Sequence, residues 1–137
     1  MADDASLTRW AFRPRFCETD LMGIVHHANY LVYFEAARVE WLRRRGVSFA
    51  EWARRGINVP VVEVAVSYRS AAYFDDDLVI EARLSEVRSA SIRFAYRLLR
   101  GETLLADGNT RLAWTNAERR LERIPEDIRK TLASPES

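Results

Sequence analysis

Cysteine is almost missing from this chain. Cys17 is the one thiol in 137 residues, which excludes an internal disulfide framework and leaves no thiol cluster to hold zinc. The expectation is a protein of a reducing cytoplasm. Lysine is just as scarce: Lys130 stands alone among 21 cationic residues, a bias that suits forked recognition of phosphate and equally suits a GC-rich coding sequence. An excess of one charge sign is missing too. With 21 cations against 20 acids the formal net charge is +1, so bulk electrostatics asks for no polyanionic partner such as nucleic acid. Met1–Thr8 contains acids and no apolar run, resembling neither a signal peptide nor a membrane span, so a soluble, unexported protein is expected. Repeats and low-complexity segments are absent. Residues that are 48% apolar suffice for one core over this length but not for two, which predicts a single domain over residues 1–137.

Patterning supplies the rest. Arg9–Phe16 alternates, with Trp10, Phe12 and Phe16 on one side, and predicts a strand that Pro14 keeps to an edge or breaks. Cys17–His27 is a polar connection containing Gly23. From Ala28 to about Arg45 the period is helical, with Tyr30, Phe34, Ala37 and Trp41 on one face. Leu31, Val32, Val39 and Leu42 lie around the circumference, and only Ala36, Glu40, Arg43 and Arg44 make a mainly polar stripe. That helix should be wrapped by other structure over most of its surface. Gly46 is a stop signal, and Ser48 caps a second, short helix that runs through Trp52 to Gly56. Strands follow at Val62–Tyr68, Leu78–Leu84, Ile92–Leu98 and from Glu102 to about Trp114, reading as an antiparallel meander. Gly108, inside the last strand, marks a bulge or a close approach. Pro125 opens a short exposed helix that ends at Leu132.

The fold class is therefore α+β, a single antiparallel sheet curled around one long central helix. Such a sheet keeps an outer face and two edges, and a second copy is a natural cover for them, giving a homodimer or homotetramer.

The segment richest in chemistry is Arg15-Phe16-Cys17-Glu18-Thr19-Asp20-Leu21-Met22-Gly23-Ile24-Val25-His26-His27-Ala28-Asn29-Tyr30. It resembles the signature of the 4-hydroxybenzoyl-CoA thioesterase-like group, a hotdog-fold family, and especially its bacterial short-chain acyl-CoA branch associated with the Tol-Pal system. The elements are an aromatic strand, an acid, Thr-Asp, Gly, an apolar pair, a His, and a small residue and Tyr opening the helix. The similarity continues at Phe34, Glu35, Ala37 and Arg38, and more weakly at Tyr68, Arg69, Phe74, Asp75 and Asp76. It implies hydrolysis of an acyl-CoA or acyl-carrier-protein thioester without a cofactor, at a site between two subunits, with Asp20 as nucleophile or general base. It also implies that backbone N–H groups around His27 and Ala28 polarise the carbonyl. The chemistry stands without the resemblance: a carboxylate beside a thioester attacks it or orients water, and a helix N-terminus stabilises the oxyanion.

Each residue has a plainer reading. Asp20 alone would be a turn aspartate bonding its own backbone. Gly23 serves a positive φ under either reading. His26 and His27 suggest a metal, but adjacent residues point in different directions and no third ligand stands at the right spacing, so no metal is expected. His26 lines the acyl pocket or faces solvent, and Tyr30 shapes the pocket or belongs to the core. Glu18 is a supporting charge, Glu63 faces outward, and Glu35 with Arg38 forms an internal ion pair. For the CoA phosphates the turn Arg88-Ser89-Ala90-Ser91 resembles the family segment that meets the nucleotide, with Arg69 a second candidate. The rival activities are a hotdog hydratase or dehydratase, which needs His and carboxylate at the acyl α and β carbons, and a binding module that holds a thioester without cleaving it.

Overall fold

A computed structural model describes residues 5–136; Met1–Asp4, part of the segment read above as lacking a targeting signal, lie outside the described residues. The elements are β1 (Leu7–Phe12), α1 (Asn29–Arg43), α2 (Phe49–Arg54), β2 (Val61–Tyr68), β3 (Leu78–Val87), β4 (Ser91–Arg100), β5 (Thr103–Ala113) and α3 (Glu126–Leu132). All strands pair antiparallel in the order β1-β3-β4-β5-β2. Among the described residues no helix is long and apolar enough to cross a membrane.

α1 lies in the curl of this sheet because its apolar face has somewhere to go. Tyr30, Phe34, Ala37 and Trp41 are all buried. Phe34 stacks on Tyr96 with ring centroids 4.5 Å apart, and Trp41 meets Phe94 edge-on at 5.2 Å. Burying each such aromatic is worth about 1.5–3 kcal/mol. Gly108 makes the closest approach possible: a Cβ there would stand 2.5 Å from the Ala65 carbonyl oxygen and 3.1 Å from the Phe34 ring. The strand glycine is thus a close-approach point, as its position suggested. Gly46 ends the helical run, and the Ser48 hydroxyl accepts the Glu51 N–H at 3.2 Å, capping α2.

Five expectations need correcting. The first strand takes a sheet edge and breaks ahead of Pro14, as that proline implied, but its expected reach to Phe16 fails: β1 stops at Phe12, and Phe16–Glu18 forms a single 3-10 turn instead. The meander holds only for β3-β4-β5. β2 pairs with β5 at the far edge, since α1 and α2 carry the chain across the concave face before it begins; alternation identifies a strand but not its neighbour. α1 is covered on one side only, leaving Leu31, Val32, Glu35 and Val39 exposed. α3 is anchored rather than exposed, because Ile128 and Leu132 reach the core. Arg38 makes no ion pair with Glu35 and instead donates to the Tyr96 hydroxyl at 3.1 Å, which bonds Thr110 at 2.7 Å.

Candidate active site

The connection between β1 and α1 is a short hairpin. Thr19 bridges Val25, and the His26 N–H donates to the Glu18 carbonyl at 2.9 Å. The outgoing and returning limbs therefore run side by side. At the tip, the Asp20 N–H donates to the Ile24 carbonyl (2.9 Å) and the Gly23 N–H to the Asp20 carbonyl (3.1 Å). The turn needs φ = 75° at Gly23, a conformation costly for any residue with a Cβ. The hairpin is sewn to the segment before β3, with Val25 N–H donating to Ala72 and Phe74 N–H to Gly23.

Asp20 has two different oxygens. Oδ1 accepts the N–H groups of Met22 (2.8 Å) and Ile24 (3.2 Å), which is the turn-aspartate role. Oδ2 has no partner among the described residues, and the side chain is exposed. One oxygen fixes the carboxylate while the other stays without a partner among the described residues.

The returning limb runs directly into α1. The Asn29 and Tyr30 N–H groups donate to the carbonyls of His26 and His27, and the Ala28 N–H donates to His26 Nδ1 at 3.2 Å. That last bond requires the neutral imidazole to carry its proton on Nε2. The His27 N–H has no acceptor among the described residues. Of the two backbone donors expected at this helix start, one is held by an imidazole and the other is available. The two histidine rings also stack, with centroids 4.4 Å apart, rather than pointing apart as adjacency suggested. Among the described residues no group of three or more His, Cys, Asp or Glu could hold a metal ion.

A groove of about 310 Å³ opens beside this helix start, lined by Val25, His27, Tyr30, Tyr68, Arg69 and Ser70. Tyr30 belongs to both of its alternatives: its ring is buried, while its hydroxyl accepts the Ala72 N–H at 3.2 Å. Burial pushes its phenol pKa up. Arg69 pairs with Asp107 at 3.0 Å. Tyr68, which entered only as a weak part of the family resemblance and as a strand residue, has a place in the site: its hydroxyl donates to the His27 carbonyl at 3.1 Å and its ring packs on Tyr30. Only the pairing of β2 with β5 brings it there.

Arg88 and Ser91 are not part of this cluster. The 10 residues of β3 separate them from the Asp20 end of the sheet, a span of roughly 30 Å at strand rise. Their turn has an unforeseen neighbour, since Arg129 of α3 donates to the Arg88 carbonyl at 2.6 Å and to that of Ser89. A second cavity, of about 470 Å³, opens at that same end between the later turns of α1, α2 and the sheet, with Leu42, Trp52, Phe94 and Leu112 as walls and Glu35 and Arg38 as polar members. Glu63 faces outward, with its carboxyl held low by hydrogen bonding to Arg111 and Arg93.

The family model for the thioesterase-like superfamily matches residues 14–132. The acyl-CoA thioesterase YbgC of Haemophilus influenzae is 36% identical over 104 residues, 74% of this chain and 75% of that protein. The crystal structure of a hypothetical protein from Thermus thermophilus has 42% identity and a TM-score of 0.85, covering 93% of this chain and 97% of that one. A 4-hydroxybenzoyl-CoA thioesterase variant, complexed with 4-hydroxybenzoyl-CoA, is alike in fold: TM-score 0.84 at 23% identity, over 93% and 99% of the chains.

Proposed function

The chain belongs to the thioesterase-like superfamily, with the hotdog fold, and from that membership we propose that it hydrolyses an acyl-CoA thioester to free acid and thiol, using Asp20 as the reacting carboxylate. The observation that carries the site assignment is the pairing of a held carboxylate, with one unpartnered oxygen, and an uncommitted N–H at a helix start on the same hairpin. Asp20 Oδ2 either attacks the thioester carbon, expelling the thiolate and forming an acyl anhydride that water then hydrolyses to the free acid and the restored carboxylate, or takes a proton from an attacking water and passes it to the thiolate as the C–S bond breaks. The His27 N–H donates to the carbonyl oxygen as charge builds on it, and a donor so placed is worth about 10²–10³ in rate. His26 holds the Ala28 amide and, with Gly23, the shape of the turn, while Tyr30, Tyr68 and Arg69 line the approach.

A second copy completes this site. β2 is an edge strand with Val62 and Val64 roughly half exposed (47% and 46%), and an apolar edge of that length invites pairing. Joining two β2 edges antiparallel across a twofold axis brings one protomer's β3–β4 turn to the end of the sheet that carries the other's Asp20 hairpin. Arg88, Ser91 and Arg129 then serve the CoA phosphates of the partner's substrate. The same operation brings the 470 Å³ cavity near the partner's helix start, where it receives the acyl group.

The test is thiol release across a panel of acyl-CoAs and acyl carrier proteins, with β-hydroxyacyl thioesters included. Free thiol with stoichiometric acid is expected. Enoyl absorbance without thiol would indicate dehydration instead, and tight binding with neither product would indicate a binding module.

A further inference from the structure

Glu18 is the residue of the hairpin that the hydrolytic reading leaves unused, and its surroundings are unusual for an acid. Only 7% of it is exposed, although it lies two residues from an exposed Asp20. Its Oε1 accepts the Arg15 N–H at 2.8 Å and the Tyr33 hydroxyl at 2.9 Å, and its Oε2 accepts the Arg15 guanidinium at 3.1 Å. Its carbonyl accepts the His26 N–H at 2.9 Å and the Asn29 side-chain amide at 3.0 Å. One residue thus ties together the chain leaving β1, the returning limb of the hairpin and the first two turns of α1.

Those three segments carry the reacting groups. Asp20 follows Glu18 by two residues on the outgoing limb, and His27 follows His26 on the returning one. Tyr33 lies one helical turn beyond Asn29, so the carboxylate and the carbonyl of Glu18 grip the same face of α1 at successive turns. Burying a carboxylate costs several kcal/mol unless donors surround it. An apolar side chain would pack against Tyr33 without that cost, but it would leave the hairpin free to slide along the helix.

We propose that Glu18 is a positioning residue for thioester hydrolysis, fixing the Asp20 carboxylate relative to the His27 amide by pinning the hairpin to α1 through Tyr33 and Asn29. The inference rests on the reading of Asp20 as the reacting carboxylate. Its mark is a loss in turnover rather than in binding, because misplacing a reacting group by a fraction of an ångström to 1 Å slows the chemistry by about tenfold to a hundredfold.

The experiment measures kcat, KM and thermal unfolding for Glu18→Gln, Tyr33→Phe and Asp20→Asn, and for Glu18→Gln combined with Asp20→Asn, by thiol release from an acyl-CoA. Glu18→Gln is expected to lower kcat at least about tenfold per folded molecule while KM stays within roughly threefold, and Tyr33→Phe to act in the same direction but less. Adding Glu18→Gln to Asp20→Asn should change turnover by less than about twofold, since the group being positioned is already gone. Wild-type kcat in both Glu18→Gln and Tyr33→Phe overturns the proposal, as does a Glu18→Gln loss that persists undiminished beside Asp20→Asn. If Glu18→Gln does not fold, Tyr33→Phe decides alone, because it removes a single hydroxyl. Full turnover in Asp20→Asn would instead sink the underlying assignment of Asp20.

Discussion

Adding one methyl group at Gly108 tests how closely the edge strand that lines the site is held to the sheet. In Gly108→Ala the new Cβ meets the Ala65 carbonyl oxygen at 2.5 Å, the Phe34 ring at 3.1 Å and the Val66 Cα at 3.3 Å. Favourable heavy-atom contacts begin near about 3.5 Å, so β2 and β5 must part by roughly 1 Å at their centre. The nearest obstacle is backbone, which no rotamer change relieves. Overpacking of this kind costs about 1–3 kcal/mol, against about 0.4–1 kcal/mol gained by stiffening the unfolded chain. For a chain of 137 residues, with about 3–5 °C per kcal/mol, the expected fall in Tm is of the order of several degrees. Thermal unfolding followed by circular dichroism reads it directly. Because β2 delivers Tyr68 and Arg69 to the groove, KM for acyl-CoA should rise as well. Phe34→Leu in the same chain should not restore Tm, since it clears the ring contact and leaves the carbonyl one. An unchanged or higher Tm in Gly108→Ala would refute the packing argument.

Charge on the open edge should dissociate the proposed dimer: Val64→Arg is expected to yield a folded monomer by sedimentation, with turnover lost because the proposed site takes residues from two copies, and an active monomer would contradict that composite site. Burial pushes the Glu18 carboxyl up, but hydrogen bonds from the Arg15 backbone, Tyr33 and the Arg15 side chain outweigh it and hold the pKa below its ordinary value. The stability this provides is present above the unfolded-state pKa of about 4.3 and lost as pH falls below it. The Tm advantage of wild type over Glu18→Gln should therefore shrink between pH 7 and pH 3; an advantage that stays constant or grows would be inconsistent with this. Arg88→Ala should raise KM for acyl-CoA several-fold with kcat little changed, and leave a truncated acyl-pantetheine thioester unaffected. Equal effects on both substrates would remove Arg88 from phosphate binding.

The sequence was most legible where local patterning and tertiary contact ask for the same thing. Tyr30, Phe34, Ala37 and Trp41 repeat at helical spacing and are the buried face of α1; Gly23 sits at the positive φ its turn requires. It was least legible where contact depends on which strands become neighbours. Nothing in the alternation of Val62, Val64 and Val66 says that this strand crosses to the far edge, so the alternation could not place Tyr68 beside His27. Arg38 looked like a partner for Glu35 because helical spacing allows the pair, but Tyr96, 58 positions away, offers the acceptor instead. Glu18 was read as a supporting charge since its buried setting is made by Tyr33, and one-dimensional spacing does not reveal that the strand yields to a 3-10 turn that ends on Glu18 itself.

The decisive comparison for the catalytic assignment is Asp20→Asn. Asparagine keeps an oxygen where Oδ1 accepts the Met22 and Ile24 N–H groups, so the turn survives, and it replaces the unpartnered, charged Oδ2 with an amide that neither attacks nor takes a proton. With wild-type circular dichroism and a Tm within a few degrees, thiol release from the best acyl-CoA substrate should fall by at least about a hundredfold in kcat. Turnover within roughly twofold of wild type would mean that Asp20 is only a turn residue and that thioester hydrolysis is carried elsewhere.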